Sequence, residues 1–321
     1  MKKQFVTTIL FLVVSVILFM HEESFSSYQE IGLEKETAVV TQNITSLYTE
    51  LEEAAKTYNE APMNAVVDKV WKAIPGYSGR VVDMKASYEK MAEKGVFDEK
   101  KIVFKNIQPE VQLKDLPPAP IYRGNPNKPM ASFAVNVSWG EEHLPAILQT
   151  LRKENVRATF FLEGRWVQKH PKLAKMIMEE GHEVGSHAYS HPDLNQSSRE
   201  KIKEELSKTN EVLEAVLSVQ PTLFAPPSGS YNNDVVKIAR QMDMYTILWT
   251  VDTIDWKNPE PHHMAARVAA EVENGSIILM HPTAATKIGL TDMIHQIKEK
   301  GIHINTVGHL LDETRIPEVD S

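Results

Sequence analysis

Residues 181–192 of this chain read Gly-His-Glu-Val-Gly-Ser-His-Ala-Tyr-Ser-His-Pro, and they place two imidazoles, His187 and His191, four positions apart directly after an apolar segment. Neutral imidazole is a common protein ligand of zinc. A helical turn that begins at a strand end aims positions i and i+4 at the same point. The spacing therefore indicates a candidate site for one divalent metal. Hydrogen-bonded loop histidines are the alternative interpretation.

Three later segments each follow an apolar run. They read Phe-Ala-Pro-Pro-Ser-Gly-Ser-Tyr-Asn at 224–232, Trp-Thr-Val-Asp-Thr-Ile-Asp-Trp at 249–256 and Leu-Met-His at 279–281. In this order and spacing, the segments together resemble the polysaccharide deacetylase family, whose shared unit is the NodB homology domain. The resemblance covers roughly residues 128–310. It implies a zinc-assisted reaction that removes acetyl groups from N-acetylated sugars such as those of peptidoglycan or chitin.

The resemblance also assigns roles to individual residues. It implies that His281 is the general acid and that Asp255 is its carboxylate partner, which fixes the imidazole and raises its basicity. A purely structural hydrogen bond between the two is the alternative. The backbone N–H of Ser228 corresponds to the family's oxyanion donor. Trp256 and Leu279 correspond to the substrate-binding wall that accommodates the acetyl methyl group.

The first family motif is degenerate in this chain. The family has Thr-Phe-Asp-Asp-Gly where residues 136–140 read Asn-Val-Ser-Trp-Gly. Ser138 therefore stands at the position of the general base and Trp139 at the position of a metal-ligating aspartate. Ala225 stands where the family usually has the arginine that orients the base. Because a positioned general base contributes about 10²–10⁴ in rate, the resemblance implies lost or very weak catalysis.

The same substitutions weaken the predicted metal site. His187 and His191 are two neutral ligands without the carboxylate that completes the family's site, so zinc or another divalent metal is expected to bind weakly. Trp139 has two interpretations: its indole stacks on a sugar ring, or it fills the space of the absent metal. Residues 141–143, Glu-Glu-His, are a candidate source of a substitute ligand, although charged residues at a helix start are commonly solvated.

The N-terminus predicts export. Met1-Lys2-Lys3 is basic, residues 5–20 are apolar, and residues 24–26 contain small residues of the kind that precede a cleavage site. Residues 1–26 are therefore predicted to be a signal peptide or an N-terminal membrane anchor. Either alternative places the remaining chain outside the cytoplasm, secreted or anchored in the cell envelope, with the membrane as a partner if the leader is not cleaved.

Composition excludes several other classes of protein. A net charge of −8 and a pI of about 5.9 argue against a nucleic-acid partner, which requires a basic surface. The absence of cysteine excludes disulfides, thiolate metal sites and a lipoprotein anchor. The chain length of 321 residues is sufficient for a full hydrophobic core.

Residues 28–115 are predicted to form a small α/β module, which includes a helix around Ala65–Ile74. The module resembles the N-terminal part of sporulation-associated deacetylase-like proteins of endospore-forming bacteria. Residues 116–127, which contain the run Leu-Pro-Pro-Ala-Pro, predict an extended proline-rich linker. The deacetylase domain is assigned to residues 128–310, and residues 311–321 form a tail.

Strand and helix patterns alternate after the linker, which predicts βα units. Apolar strands are expected to begin near Ala131, Ala158, Glu183, Thr222, Tyr245, Ser276 and Ile302. Seven such units indicate an α/β fold of the distorted (β/α)7 barrel type, which the family resemblance also implies. The chemistry-bearing segments follow the strand ends, as sites do at the C-terminal face of a barrel.

Three functions are compatible with these features. The first is a deacetylase-like envelope protein that binds an N-acetylated cell-wall glycan with little or no catalysis. The second is an active hydrolase of a carbohydrate amide or ester with a rearranged metal site. The third is a non-catalytic structural protein of the sporulating envelope. The family is a metal-dependent hydrolase family, and the first hypothesis is favoured because the base and a metal ligand are lost together.

Overall fold

The computed structural model describes residues 46–316, in two compact units. One unit contains the described residues up to Asn59 together with Val81–Lys105, and the other contains Glu60–Arg80 and all residues from Asn106 onward. The predicted signal or anchor segment at residues 1–26 lies outside the described residues. Within 46–316, no helix has the length and apolar character needed to cross a membrane.

Short elements precede the main sheet. They are α1 at 46–58, β1 Val66–Asp68, β2 Lys72–Ile74, β3 Gly79–Val82, α2 Met84–Met91 and β4 Phe104–Ile107. In the first unit, Leu47 and Leu51 of α1 are buried together with Met91 of α2. The side chain of Asp83 accepts a hydrogen bond from the backbone N–H of Ala86 and so caps the start of α2.

The helix predicted around Ala65–Ile74 is wrong, because these residues form the antiparallel pair of β1 and β2. The Asp68 carboxylate accepts hydrogen bonds from the backbone N–H groups of Val70 and Trp71 at 2.7 and 2.8 Å. Such local bonds stabilise a turn in competition with a helix, and the β-branched valines on either side of Asp68 favour strands. The local hydrogen bonds of Asp68 therefore determined the structure of this segment, although the spacing of its apolar residues is compatible with a helix.

The remaining elements alternate between strands and helices. The strands are β5 Met130–Val137, β6 Thr159–Leu162, β7 Glu183–Ser186, β8 Leu223–Phe224, β9 Tyr245–Thr246, β10 Val251–Asp252, β11 Ile277–Met280 and β12 His303–Ile304. The helices are α3 Leu144–Lys153, α4 Gly164–Lys169, α5 Pro171–Glu179, α6 Arg199–Leu217, α7 Asn233–Gln241, α8 Pro261–Glu271, α9 Ala284–Glu299 and α10 Val307–Leu311. All seven predicted strands are present, and β10 is an additional one.

These strands form one eight-stranded sheet in the order β10-β11-β5-β6-β7-β8-β9, with β12 paired to β5. The pairs are parallel, so the predicted α/β fold with a parallel sheet is confirmed as a curled half-barrel. The barrel is not closed by its own strands. Instead, Ile121 forms a bridge with Ile247 beside β9, and Arg123 forms a bridge with Ser276 at the start of β11.

The segment predicted as a linker therefore contributes to the second unit. Ile121 is fully buried, and its backbone N–H donates to the Thr246 carbonyl while its own carbonyl accepts from Leu248. Prolines at 117, 118 and 120 keep the chain extended, as expected, and an extended chain is also what pairing with a sheet edge requires.

Side chains alternate between the two faces of the curled sheet. On β5, Phe133, Val135 and Val137 belong to the core cluster that contains the helices, whereas Ala134 belongs to a separate cluster inside the sheet. Because the side-chain period of a strand is two, the inward-facing positions continue through Asn136 to Ser138. The sheet thus directs the degenerate first motif into its own interior.

Candidate active site

A cavity of about 370 Å³ lies at the carboxyl ends of the strands, where barrel proteins place their sites. Eight predicted site residues line this cavity: Ser138, Trp139, His187, His191, Ser228, Trp256, Leu279 and His281. The other two, Asp255 and Ala225, are buried behind the cavity wall. The Asp255 carboxylate binds His281, and the Ala225 carbonyl binds His187. Asn136 and Asp252 also line the cavity and were not predicted as site residues.

The two histidines of the 181–192 segment lie together, as the spacing predicted. Their ring centroids are 5.1 Å apart and their planes are inclined by 69°. The expected helical turn is absent, however. Ala188 and His191 adopt left-handed backbone conformations with φ of 59° and 57°, and these two bends bring the rings together. Such conformations in residues other than glycine are uncommon and cluster at functional sites.

The orientation of His187 is fixed by Ala225. His187 Nδ1 is 2.8 Å from the Ala225 carbonyl oxygen, so Nδ1 carries the proton and donates, and Nε2 remains an acceptor. Burial, with a smaller contribution from His191, lowers the pKa of His187 to about 3. The imidazole is therefore neutral at physiological pH.

A buried glutamate that the sequence analysis did not single out holds the loop between the two histidines. The Glu205 carboxylate accepts hydrogen bonds from the backbone N–H groups of Tyr189 and Ser190 at 3.0 and 2.8 Å and from the Ser190 hydroxyl at 2.7 Å. Lys201 forms an ion pair with it at 2.9 Å. Although burial raises the pKa of Glu205, the bonds from Ser190 and Lys201 outweigh this effect and lower it. Glu205 thereby stabilises a loop whose backbone is strained.

His281 and Asp255 form the pair that the family resemblance implied. His281 Nδ1 is 2.8 Å from Asp255 Oδ1, and the His281 backbone N–H donates to Oδ2 at 2.6 Å. The Thr286 hydroxyl donates to the same Oδ2 at 2.6 Å. Asp255 is only 1% exposed, and its carboxylate is satisfied by these three bonds. The arrangement holds Nδ1 as the protonated nitrogen and leaves Nε2 available to the cavity.

Trp139 stacks on His281. The ring centroids are 5.8 Å apart and the planes differ by 10°. Gly140 explains this position: its φ is 80°, and a Cβ atom there would lie 2.0 Å from the Pro282 carbonyl oxygen, so only glycine permits this close approach. The indole is 45% exposed and forms part of the cavity mouth, together with Trp256, which is 54% exposed.

The floor of the cavity is polar and has unmet hydrogen-bonding capacity. Asn136 Oδ1 is buried and has no hydrogen-bond partner among the described residues, whereas the buried Ser138 Oγ lies beside one carboxylate, that of Glu163. A buried polar group without a partner costs about 1–3 kcal/mol, so such groups in a cavity indicate a ligand-binding role. The motif alignment contained a signal for Asn136, because asparagine replaces the family's threonine at that position.

A further carboxylate lies behind the floor. Glu163 directly follows β6 and lies between Ser138, which follows β5, and His187, which follows β7. Two backbone bonds show this register: the Glu163 N–H donates to the Val137 carbonyl, and the His187 N–H donates to the Leu162 carbonyl. Burial raises the pKa of the Glu163 carboxyl group, against a smaller lowering by the Ser138 hydroxyl, which donates a hydrogen bond to it. No motif identified this residue, because its position depends on the register of three strands.

The described residues do not fit a complete metal site. No group of three or more His, Cys, Asp or Glu side chains in the described part of the chain is placed to hold a metal ion. His187 and His191 supply two imidazoles, whereas a catalytic zinc requires three protein ligands. The candidate substitutes are engaged elsewhere: Glu141 lies 3.7 Å from His170, and Glu142 lies 3.5 Å from His143.

The buried histidines predict acid sensitivity. Burial lowers the pKa of His182 to about 4, close to the value of about 3 for His187. As the pH falls below about 6.5, the unfolded chain binds protons that the folded chain does not, so the free energy of unfolding falls. We expect His187→Asn, whose amide reproduces the Nδ1 bond, to remove about 1.6 kcal/mol of the stability that is lost between pH 6.5 and 5. Urea unfolding at the two pH values measures this difference, and an equal loss in both proteins would contradict it.

Comparison with known proteins agrees with the site. Residues 123–247 match the family model for polysaccharide deacetylase. A peptidoglycan-N-acetylglucosamine deacetylase of Bacillus cereus is 33% identical over 175 residues, which cover 53% of this chain and 82% of that protein. The chain belongs to the polysaccharide deacetylase family. PgdA from Listeria monocytogenes is longer, and the chain spans only 36% of it.

Two other relatives match nearly along their whole length. The uncharacterized protein YlxY of Bacillus subtilis is 46% identical over 98% of this chain and 99% of its own length. The crystal structure of BA3943 from Bacillus anthracis, described as a CE4 family pseudoenzyme, has a TM-score of 0.80 and 51% identity, covering 84% of this chain and 96% of that one. A BA3943 mutant with restored enzymatic activity has the same TM-score of 0.80 with 50% identity, covering 84% and 99%.

Proposed function

We propose that this chain binds an N-acetylated glycan of the cell envelope, of the peptidoglycan type, in the cavity that Trp139 and His281 line, and that it hydrolyses the glycan very slowly or not at all. The proposal assigns His281 and Asp255 to the remaining acid pair. It assigns Trp256 and Leu279 to substrate binding. His187 and His191 are assigned at most a weak metal site.

One observation carries this proposal. The cavity at the strand ends is present, but Ser138 and Trp139 stand in it at the two positions where the family has its general base and a metal-ligating aspartate. A hydroxyl has too high a pKa to act as a general base at neutral pH, and an indole cannot ligate a metal. The stacked and largely exposed indole instead offers an aromatic face at the mouth of a cleft, which suits the apolar face of a sugar ring.

The relatives support the envelope as the location, since several are peptidoglycan deacetylases, and an extracytoplasmic position agrees with the predicted leader. The domain assignment at 28–115, 116–127 and 128–310, a role in sporulation, and cleavage of the leader stay predictions. An active hydrolase with a rearranged metal site is the hypothesis that the following experiment separates from ours.

The test uses the full chain with N-acetylglucosamine tetramer as the probe. We expect saturable binding, no acetate release above background, and less than one metal ion per chain after dialysis against a chelator. Two neutral ligands lack the charge compensation of a carboxylate, so we expect metal affinity in the micromolar range or weaker. Stoichiometric metal together with acetate release would support the active hydrolase instead, and absence of binding would contradict a glycan-binding role.

A further inference from the structure

The cavity has a polar floor and an aromatic mouth. Asn136 is only 4% exposed and lies at the floor, where its Oδ1 has no hydrogen-bond partner among the described residues. Ser138 Oγ, one inward-facing position further along the same chain segment, is also buried, and its hydroxyl lies beside the Glu163 carboxylate. The amide and the hydroxyl together supply an acceptor and a donor to whatever enters the cavity.

We propose that Asn136 and Ser138 bind the acetamido group of the sugar, and that this pair takes over, without a metal, the recognition of the N-acetyl arm. The inference rests on the proposed function, because it requires a glycan in this cavity. The acetamido N–H donates to Asn136 Oδ1, and the Ser138 hydroxyl turns from Glu163 to donate to the acetamido carbonyl. The buried side chain of Leu279 lines the same cavity and suits the methyl group.

The charges around the floor favour a neutral acetamido group over the ammonium of a deacetylated sugar. His187 Nδ1 is committed to the Ala225 carbonyl oxygen. Asp252 is the carboxylate that lines the cavity, and its Oδ1 already accepts the Ile254 N–H at 2.8 Å. Glu163 lies behind Ser138 and does not line the cavity, so an ammonium placed beside Asn136 would be desolvated without direct contact with that carboxylate, which is unfavourable. Burial of an amide costs much less free energy when its N–H and its carbonyl both form hydrogen bonds.

The lining residues at the mouth differ from those at the floor in a way that agrees with acetamido binding at the floor. The exposed indoles of Trp139 and Trp256 lie at the mouth and suit the pyranose ring, whereas Asn136, His187 and Leu279 are buried at the floor. A sugar ring held at the mouth reaches the floor with its acetamido arm, which extends further from the ring than a hydroxyl group does. The acetamido arm is the substituent that distinguishes N-acetylglucosamine from glucosamine, so Asn136 and Ser138 become the specificity-determining residues.

The test compares N-acetylglucosamine tetramer with glucosamine tetramer on the folded full chain. We expect the wild-type protein to bind the acetylated tetramer at least about tenfold more tightly. Asn136→Leu and Ser138→Ala should each reduce that preference about tenfold, and saturation-transfer NMR should give its strongest signal at the acetamido methyl. The matched control is Asn210→Leu: Asn210 Oδ1 is also buried and without a partner, but Asn210 does not line the cavity. This variant should keep the preference.

The outcomes separate the two proposals. If neither tetramer binds the wild-type protein, the proposed glycan-binding function fails and this inference fails with it. If both tetramers bind equally, or the glucosamine tetramer binds more tightly, glycan binding stands and acetamido recognition is wrong. Acetamido recognition is equally contradicted if Asn136→Leu and Ser138→Ala fold and keep the full preference. Thermal unfolding identifies a variant that does not fold, in which case the other variant decides.

Discussion

The folded triple variant Ser138→Asp, Trp139→Asp, Ala225→Arg is expected to bind zinc and to release acetate from an N-acetylglucosamine oligomer at least about 100-fold faster than the parent chain. Asp at 138 restores a base, and Asp at 139 adds a carboxylate ligand to the two neutral imidazoles. Arg at 225 restores the group that orients the base. The remaining parts of the site, His281 with Asp255 and the turn around Ser228, are already in the cavity or behind it.

The structure indicates which of these substitutions is harder to accommodate. Trp139 is about half-exposed, so its removal mainly loses the stack on His281. Ala225 is buried, and a larger side chain there costs about 1–3 kcal/mol if its neighbours do not adjust. Thermal unfolding must therefore precede the assays, which are elemental analysis for zinc and enzymatic detection of acetate.

Two comparisons make the repair experiment decisive. Trp139→Ala clears the same space without a carboxylate and should neither bind zinc nor release acetate. The triple variant with His281→Asn should bind zinc but lose most of its regained activity. If the folded triple variant binds zinc and stays inert on every acetylated sugar, the site has diverged further, and Glu163 beside position 138 is then the first residue to replace. If the parent releases acetate at the rate of the triple variant, the interpretation of lost catalysis is wrong.

Asp255→Ala is expected to reduce the free energy of unfolding by about 3 kcal/mol or more, because a buried carboxylate that serves several donors is removed. The His281 backbone N–H and the Thr286 hydroxyl would both lose their acceptor inside the protein. Asp255→Asn keeps the shape but offers one acceptor oxygen instead of two, so an intermediate loss is expected. Urea unfolding at pH 7.5 measures all three proteins.

Asp252→Ala is the matched control for that experiment. Asp252 also lies at the end of a strand near the cavity, but it is only partly buried, and its carboxylate accepts a local bond from Ile254 N. Its replacement should cost less than about 1 kcal/mol. Equal losses in Asp252→Ala and Asp255→Ala would contradict the view that Asp255, His281 and Thr286 form one connected network.

Much of the fold was accessible from the sequence. The strands predicted near Ala131, Ala158, Glu183, Thr222, Tyr245, Ser276 and Ile302 are all present, since a buried parallel strand requires a run of apolar residues with no solvent face. The hairpin at Val66–Ile74 was missed, because Asp68 stabilises a turn through local bonds that apolar spacing does not report. The bridges of Ile121 and Arg123 were missed for a different reason: a linker and an edge strand are both extended chain, and only the partner distinguishes them.

The sequence by itself determined the chemical content of the site: two histidines four apart, an aspartate and a histidine after later strands, and Ser138 and Trp139 in place of two carboxylates. Those are properties of residue identity and order, which folding does not change. Tertiary structure decided how these groups act together. The left-handed turns at Ala188 and His191, the Trp139 stack permitted by Gly140, and the row of Ser138, Glu163 and His187 arise from loop conformation and strand register. Register and loop conformation depend on contacts between residues distant in the chain, so no local pattern specifies them.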